Sequence, residues 1–215
     1  IRLEFAEKIN PDGTLFRTPI GNEVNGTVQV DYYTAKGGAQ ETWEPVFTFH
    51  GFQYAALYVE SGALPEAPSD KTLTAVVVHT DLPETASFDC SDPQLVRLHE
   101  AAGRTLLAGM HGLPMDCPVR ERCGWLGDGH VIAEALLTRY DAASFLHKYA
   151  RDIETGGRRV TDEPRVGPNY GTIVREPKPA GIPHMIAPGK RRCNAASPDW
   201  GSAQVFIPWE ICTQT

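Results

Sequence analysis

Residues 87–110 read SFDCSDPQLVRLHEAAGRTLLAGM, and at this stretch the periodicity of the chain changes. Ser91 or Asp92 can cap a helix with Pro93 in its first turn, where the missing amide hydrogen of proline costs nothing. Leu95, Leu98, Ala102 and Leu106 then recur at helical spacing. Upstream the pattern is of another kind. IRLEFAEKI alternates near period two, Pro11-Asp12-Gly13 offers a turn, and VQVDYY, VFTFHGF, YAALYVE and LTAVVVHT are β-branched and aromatic runs parted by Gly, Pro and Ser. The reading is a partial antiparallel β-sandwich over residues 1–85 and a helical domain over 86–215.

Downstream, Val131 or Ile132, Ala135, Leu136 and Tyr140 predict a second helix. Asp141 can cap a third that carries Phe145, Leu146, Tyr149 and Ile153 and ends at Gly156-Gly157. So tight a connection suggests an αα-hairpin. Residues 156–198 are rich in Pro, Gly and Arg without periodicity, as functional lining often is. A further apolar helical pattern spans 203–211, with Pro208 restarting it. These few helices read as part of a larger all-α domain, so the chain is expected to be a piece of something longer.

The 215 residues are ordinarily globular, 41% hydrophobic and 22% charged, with a net charge of −7. That charge disfavours nucleic acid and anionic membrane as partners, and no apolar run approaches the ~20 residues of a membrane helix. Ile1 opens the chain and no charged-then-apolar leader follows, so no compartment is read from it. Five cysteines, an odd and scattered number, are expected mainly as thiols.

The chemistry concentrates at 114–130, PMDCPVRERCGWLGDGH. Cys117, Cys123 and His130 lack the spacing of a structural zinc site, and a disulfide between the two cysteines would close a very short loop. Packing is the expected role of both thiols. Asp116, Glu121 and Asp128 alternate with Arg120, Arg122, Gly124, Trp125 and Gly127, residues that shape a loop rather than a solvated helix face. Carboxylates beside an arginine and an indole suit a sugar, the acids accepting from hydroxyls and the ring face stacking on the apolar side. A carboxyl near other carboxylates has its pKa raised, which suits a general acid. His50 and His79 read as packed histidines, His130 and Glu134 as a surface pair, Lys190-Arg191-Arg192 as a solvated loop, and His184 as a residue of the irregular segment near the pocket.

Residues 116–128, DCPVRERCGWLGD, closely resemble the signature of bacterial-type α-L-rhamnosidases, glycoside hydrolase family 78, whose usual form is DCPQRDERxGWTGD. Trp43 to Tyr54, WEPVFTFHGFQY, is similar to the family's W-x-P-x-F-T-x-H-G-F-R-Y. Phe88 to Asp92 is similar to its F-x-C-S-D, and Pro198-Asp199-Trp200-Gly201 with Pro208-Trp209 to its DWGD...PW. The four motifs follow the family's order.

The resemblance implies a β-sandwich followed by the first helices of an (α/α)6 barrel that removes terminal α-L-rhamnose with inversion. An inverting pair needs one carboxylic acid on the leaving oxygen and one carboxylate activating water, ~6.5 to 9.5 Å apart. Carried over by motif, Glu121 is the general acid. Asp116, Arg120, Trp125 and Asp128 line the sugar site, and Trp200 adds an aromatic wall. The resemblance places the general base in a glutamate beyond Thr215. It implies a rhamnose-containing glycoside or polysaccharide as partner, with no cofactor and no metal. The chain differs from the family by one acidic residue fewer between Arg120 and Glu121, and by Ser202 where DWGD has its second acid. A non-catalytic carbohydrate-binding relative, or a hydrolase or lyase of another sugar on the same barrel, are the competing readings.

Overall fold

In a computed structural model, the described residues are 1–16, 29–38, 40–64, 66–158, 180–188 and 196–215, with the backbone of 165–167 and 171–173. They form two compact units, one of Ile1–Val78 with Pro118–Glu121 and one of His79–Cys117 with Arg122–Thr215.

The first unit holds a three-stranded antiparallel sheet of β1 (Arg2–Ala6), β2 (Val30–Tyr32) and β3 (Tyr54–Tyr58), in the order β2-β1-β3. β1 is the central strand, with Leu3 opposite Asp31 on one side and Leu57 on the other, and its buried residues are Glu4 and Ala6. Two expected strands differ from this sheet. VFTFHGF is not a strand: Phe47 turns left-handed at φ 60 and is fully exposed, while His50 and Phe52 lay their rings on Phe5 at 4.3 and 4.9 Å. The run meets the sheet through these rings instead of through a ladder. LTAVVVHT likewise has no ladder partner among the described residues, and Val76, Val77 and Val78 are all exposed.

The second unit is helical: α1 (Pro93–Ala108), α2 (Leu126–Val131), α3 (Ala133–Arg139), α4 (Ala143–Gly157), α5 (Pro198–Gly201) and α6 (Ala203–Gln214). A two-stranded antiparallel ribbon, β4 (Arg165–Gly167) with β5 (Gly171–Ile173), also follows α4. Asp92 caps α1 as expected, its carboxylate accepting from the Gln94 amide at 2.8 Å. Of the expected α1 stripe only Leu106 packs against the core, whereas Leu95, Leu98 and Ala102 are exposed and Gly103 is buried. Small size wins at Gly103, because a Cβ there would lie 2.2 Å from the Arg139 guanidinium carbon.

The second predicted helix is broken at Ile132 into α2 and α3, which buries Ala133, Leu136 and Tyr140 and leaves Val131 exposed. The third buries Leu146, Tyr149 and Ile153, as the periodicity predicts, but Ala142 rather than Asp141 occupies its N-cap. In place of a simple hairpin of α3 on α4, α6 packs against α2, α3 and α4. Its Ala203, Ile207 and Ile211 enter the same core as Leu126, Leu136 and Leu146. Pro208 sits inside α6 and does not restart it. Residues 189–195 and most of 159–179 lie outside the described set, including the Lys190-Arg191-Arg192 cluster. Among the described residues no helix is long and apolar enough to cross a membrane.

Candidate functional site

The 116–128 motif is divided between the two units, Pro118–Glu121 belonging to the first and its other residues to the second.

Within the second unit, the loop is built from backbone that tolerates little bulk. The Gly124 carbonyl accepts from the Ala187 amide at 2.9 Å and the Met185 carbonyl accepts from the Leu126 amide at 2.9 Å, so 185–187 runs beside 124–126. A Cβ at Gly124 would lie 2.0 Å from the Ala187 carbonyl oxygen, which is why glycine stands there. The irregular segment expected to line the site does approach the motif at these residues, and His184 beside them is 3% exposed. Beneath the loop, the Tyr149 hydroxyl donates to the Gly124 carbonyl at 2.9 Å, and a Cβ at Gly129 would meet the Tyr149 ring at 2.7 Å.

Trp125 provides the N-cap residue of α2, and Asp128 falls in the first turn of that helix. Trp125 and Trp200, the two expected aromatic contacts, come together edge to face with centroids 6.5 Å apart and an interplanar angle of 72°. Trp200 also lies over Gly127, where a Cβ would be 2.8 Å from its Cε2. Asp116 is held by its own loop: Oδ1 accepts from the Cys123 amide at 2.9 Å and Oδ2 from the Cys117 thiol at 2.8 Å. Cys117 is thus a donor to the Asp116 carboxylate, a role that packing alone did not suggest. Arg122 adopts φ 51, a left-handed conformation that a non-glycine side chain takes at a cost of about 1–3 kcal/mol and that gathers at functional loops.

Within the first unit, Arg120 Nη2 donates to Glu121 Oε1 at 2.5 Å, with the Glu121 side chain 22% exposed and that of Arg120 51%. Arg120 is therefore in direct contact with the expected acid.

Other expectations resolve differently. Ser202, at the position of the second acid of the family motif, donates from Oγ to the Asp199 carbonyl at 2.6 Å and so closes the turn between α5 and α6. His130 stacks on Phe206 at 5.4 Å instead of standing as a surface partner of Glu134. His79 donates to its neighbour's carbonyl, Thr80, at 2.8 Å. His50 is packed as expected, yet it is also the centre of a polar network with Gln29 and Asp31 that periodicity does not reveal. Tyr149 was visible only as one residue of an apolar stripe; nothing local marks it as the support of the loop.

Comparison with known proteins places the chain in a family. Residues 83–215 match the bacterial alpha-L-rhamnosidase 6 hairpin glycosidase domain, and residues 1–79 the bacterial alpha-L-rhamnosidase concanavalin-like domain. The chain is 40% identical over 195 residues to an alpha-L-rhamnosidase of Formosa agariphila, covering 91% of this chain and 19% of the relative. It is 35% identical over 216 residues to one of Streptomyces avermitilis, covering 98% and 18%. Among solved structures, the Streptomyces avermitilis alpha-L-rhamnosidase complexed with L-rhamnose matches with a TM-score of 0.75 at 32% identity, over 97% of this chain and 18% of that one. The Dictyoglumus thermophilum alpha-L-rhamnosidase matches with a TM-score of 0.75 at 28% identity, over 97% and 20%. The chain spans about a fifth of the length of these relatives, and by both domain matches it belongs to the bacterial alpha-L-rhamnosidase family.

Proposed function

We propose that the protein containing this chain hydrolyses terminal α-L-rhamnosides with inversion, Glu121 protonating the departing glycosidic oxygen. A glutamate beyond Thr215 serves as the base that activates water. Residues 1–85 are then part of a β-sandwich and 86–215 the opening helices of an (α/α)6 barrel. The observation that carries this reading is the 116–128 motif, in a chain whose two halves match two successive domains of the rhamnosidase family.

The chemistry of the residues supports the assignment of roles. Asp116 and Asp128 supply acceptors for sugar hydroxyls, and Arg120 a donor. Trp125 and Trp200 offer apolar ring surface of the kind that packs on a sugar face and a C6 methyl. Glu121 is partly exposed, as a residue that exchanges its proton with a leaving group must be. The Arg120 pairing does not immobilise it, since an ion pair with a half-exposed arginine is worth only about 0–1 kcal/mol.

The test is Glu121→Gln in the whole enzyme. Loss of a general acid is expected to lower turnover of an aryl α-L-rhamnoside by about 10²–10⁴-fold with the fold intact. Near-wild-type turnover sinks the assignment of the acid. The anomer first released, followed by NMR, decides inversion. L-rhamnose binding without any turnover in the unaltered protein would instead establish a carbohydrate-binding relative.

A further inference from the structure

Phe49-His50-Gly51-Phe52 is an expected strand that is not one, and its glycine has an unusual neighbour. A Cβ on Gly51 would lie 2.6 Å from Val119 Cγ2, 3.1 Å from Pro118 Cγ and 3.3 Å from Pro118 Cβ. Side-chain carbons do not approach so closely, so Pro118 and Val119 rest on bare backbone at Gly51. Both belong, with Glu121, to the same compact unit as Gly51.

That backbone is itself held. The Gly51 carbonyl accepts from Gln29 Nε2 at 2.9 Å. Gln29 Oε1 lies 2.9 Å from His50 Nδ1, and Asp31 Oδ2 lies 2.9 Å from His50 Nε2. The His50 ring stacks on Phe5 of the central strand at 4.3 Å and 13°. The His50 and Asp31 side chains are 5% and 11% exposed. Apolar residues would stabilise this position at least as well, because a buried polar network loses much of its attraction to desolvation. What the network adds is geometry: Gln29 ties His50 and the Gly51 carbonyl to the sheet at once.

We infer that Gly51, with Gln29, His50 and Asp31 behind it, is a positioning site for Glu121. The absent side chain sets how deeply Pro118 and Val119 settle, and thereby where the Glu121 carboxyl is presented two residues later. This rests on the reading of Glu121 as proton donor.

The inference is tested in the whole enzyme with two aryl α-L-rhamnosides. A dinitrophenyl aglycone leaves without a proton, whereas a methoxyphenyl aglycone requires one. Gly51→Ala is expected to lower kcat on the methoxyphenyl substrate about 10–100-fold, part of the full general-acid contribution, while changing KM and the dinitrophenyl rate less than about 3-fold. Val119→Ala added to Gly51→Ala makes room for the methyl group and is expected to recover part of the loss. His50→Phe, which keeps the stack on Phe5 and removes both hydrogen bonds, is expected to shift the two substrates in the same unequal way, and it carries the test if Gly51→Ala fails to fold. Equal loss on both substrates, no loss in a folded Gly51→Ala enzyme, or no recovery in the double variant overturns the inference. Glu121→Gln run in parallel separates the two ideas. If it shows no leaving-group dependence, the proton-donor reading fails. If it does and Gly51→Ala does not, positioning fails and the donor stands.

Discussion

The Tyr149 hydroxyl, buried on α4, donates to the carbonyl of Gly124 in the motif loop at 2.9 Å. Burial pushes its phenol well above the ordinary tyrosine range, and the charges of Asp128 and Asp152 add to the shift. Tyr149→Phe removes this donor while the Gly124 carbonyl keeps the Ala187 amide, so the expected cost is that of one hydrogen bond, about 0.5–1.5 kcal/mol of stability. The sign with pH follows. Because the folded-state pKa is raised, the unfolded chain releases its proton first, at about pH 10, and stability falls as pH rises past that point. Chemical denaturation at neutral pH reads the first effect, and melting above pH 10 the second. A variant as stable as the wild type, with the same alkaline loss, refutes the role given to the hydroxyl.

Gly127 and Trp200 make a second close approach, with a Cβ at 127 placed 2.8 Å from Trp200 Cε2 and 2.9 Å from Nε1. Gly127→Ala must therefore displace the indole, at an expected cost of about 1–3 kcal/mol from overpacking. If Trp200 is a wall of the sugar site, KM for an aryl rhamnoside rises about 3–10-fold, the scale of an aromatic contact of about 1 kcal/mol. Tryptophan fluorescence reports the displacement and steady-state kinetics the binding. A changed emission with unchanged KM removes Trp200 from the site.

Local chemistry is what a sequence displays, and it was legible here wherever local chemistry decides. Asp92 before Pro93 predicts the start of α1 because a cap is satisfied within its own turn. Leu146, Tyr149 and Ile153 predict a buried face because spacing alone puts them there. Leu95 and Leu98 form an equally regular row on α1, and Gly103 is buried by residues far along the chain, the Arg139 guanidinium and the Tyr140 hydroxyl, which donates to the Gly103 carbonyl at 3.2 Å. VFTFHGF carries every β preference, yet strand pairing depends on a partner that no window of sequence contains. Gly124 and Gly127 read as loop residues in sequence, and Gly51 as part of a strand. Their meaning lies in atoms far along the chain that fill the space where a side chain would be.

Arg139 links α3 to α1. Its Nη1 donates to the His99 carbonyl at 2.5 Å and its Nε to Glu84 at 2.8 Å. The two bonds are unequal in worth. The Glu84 side chain is half exposed, so Glu84→Gln is expected to cost about 0–1 kcal/mol. Arg139→Met removes the donor to a part-buried carbonyl and is expected to cost about 1.5–3 kcal/mol, as for bonds to a charged group. Denaturant midpoints of the two variants measure the ranking, and a Glu84→Gln loss as large as that of Arg139→Met contradicts it.

His111 gives the second unit an acid limb. Burial pushes its imidazole below the usual histidine range, and the positive charges of His79 and Arg122 push in the same direction against a backbone hydrogen bond at Ala108. With the folded-state pKa depressed, the unfolded chain takes up its proton first as pH falls through about 6.5. The unfolded state then binds more protons, so stability present above that pH is lost as pH declines toward the folded-state value. The ring is partly open to solvent, which keeps the effect small beside the carboxylates that titrate lower. His111→Gln removes the titration and keeps a polar side chain. Melting temperatures at pH 7.5 and 5.5 are expected to differ less in this variant than in the wild type, and an identical drop in both shows that another group carries the acid limb.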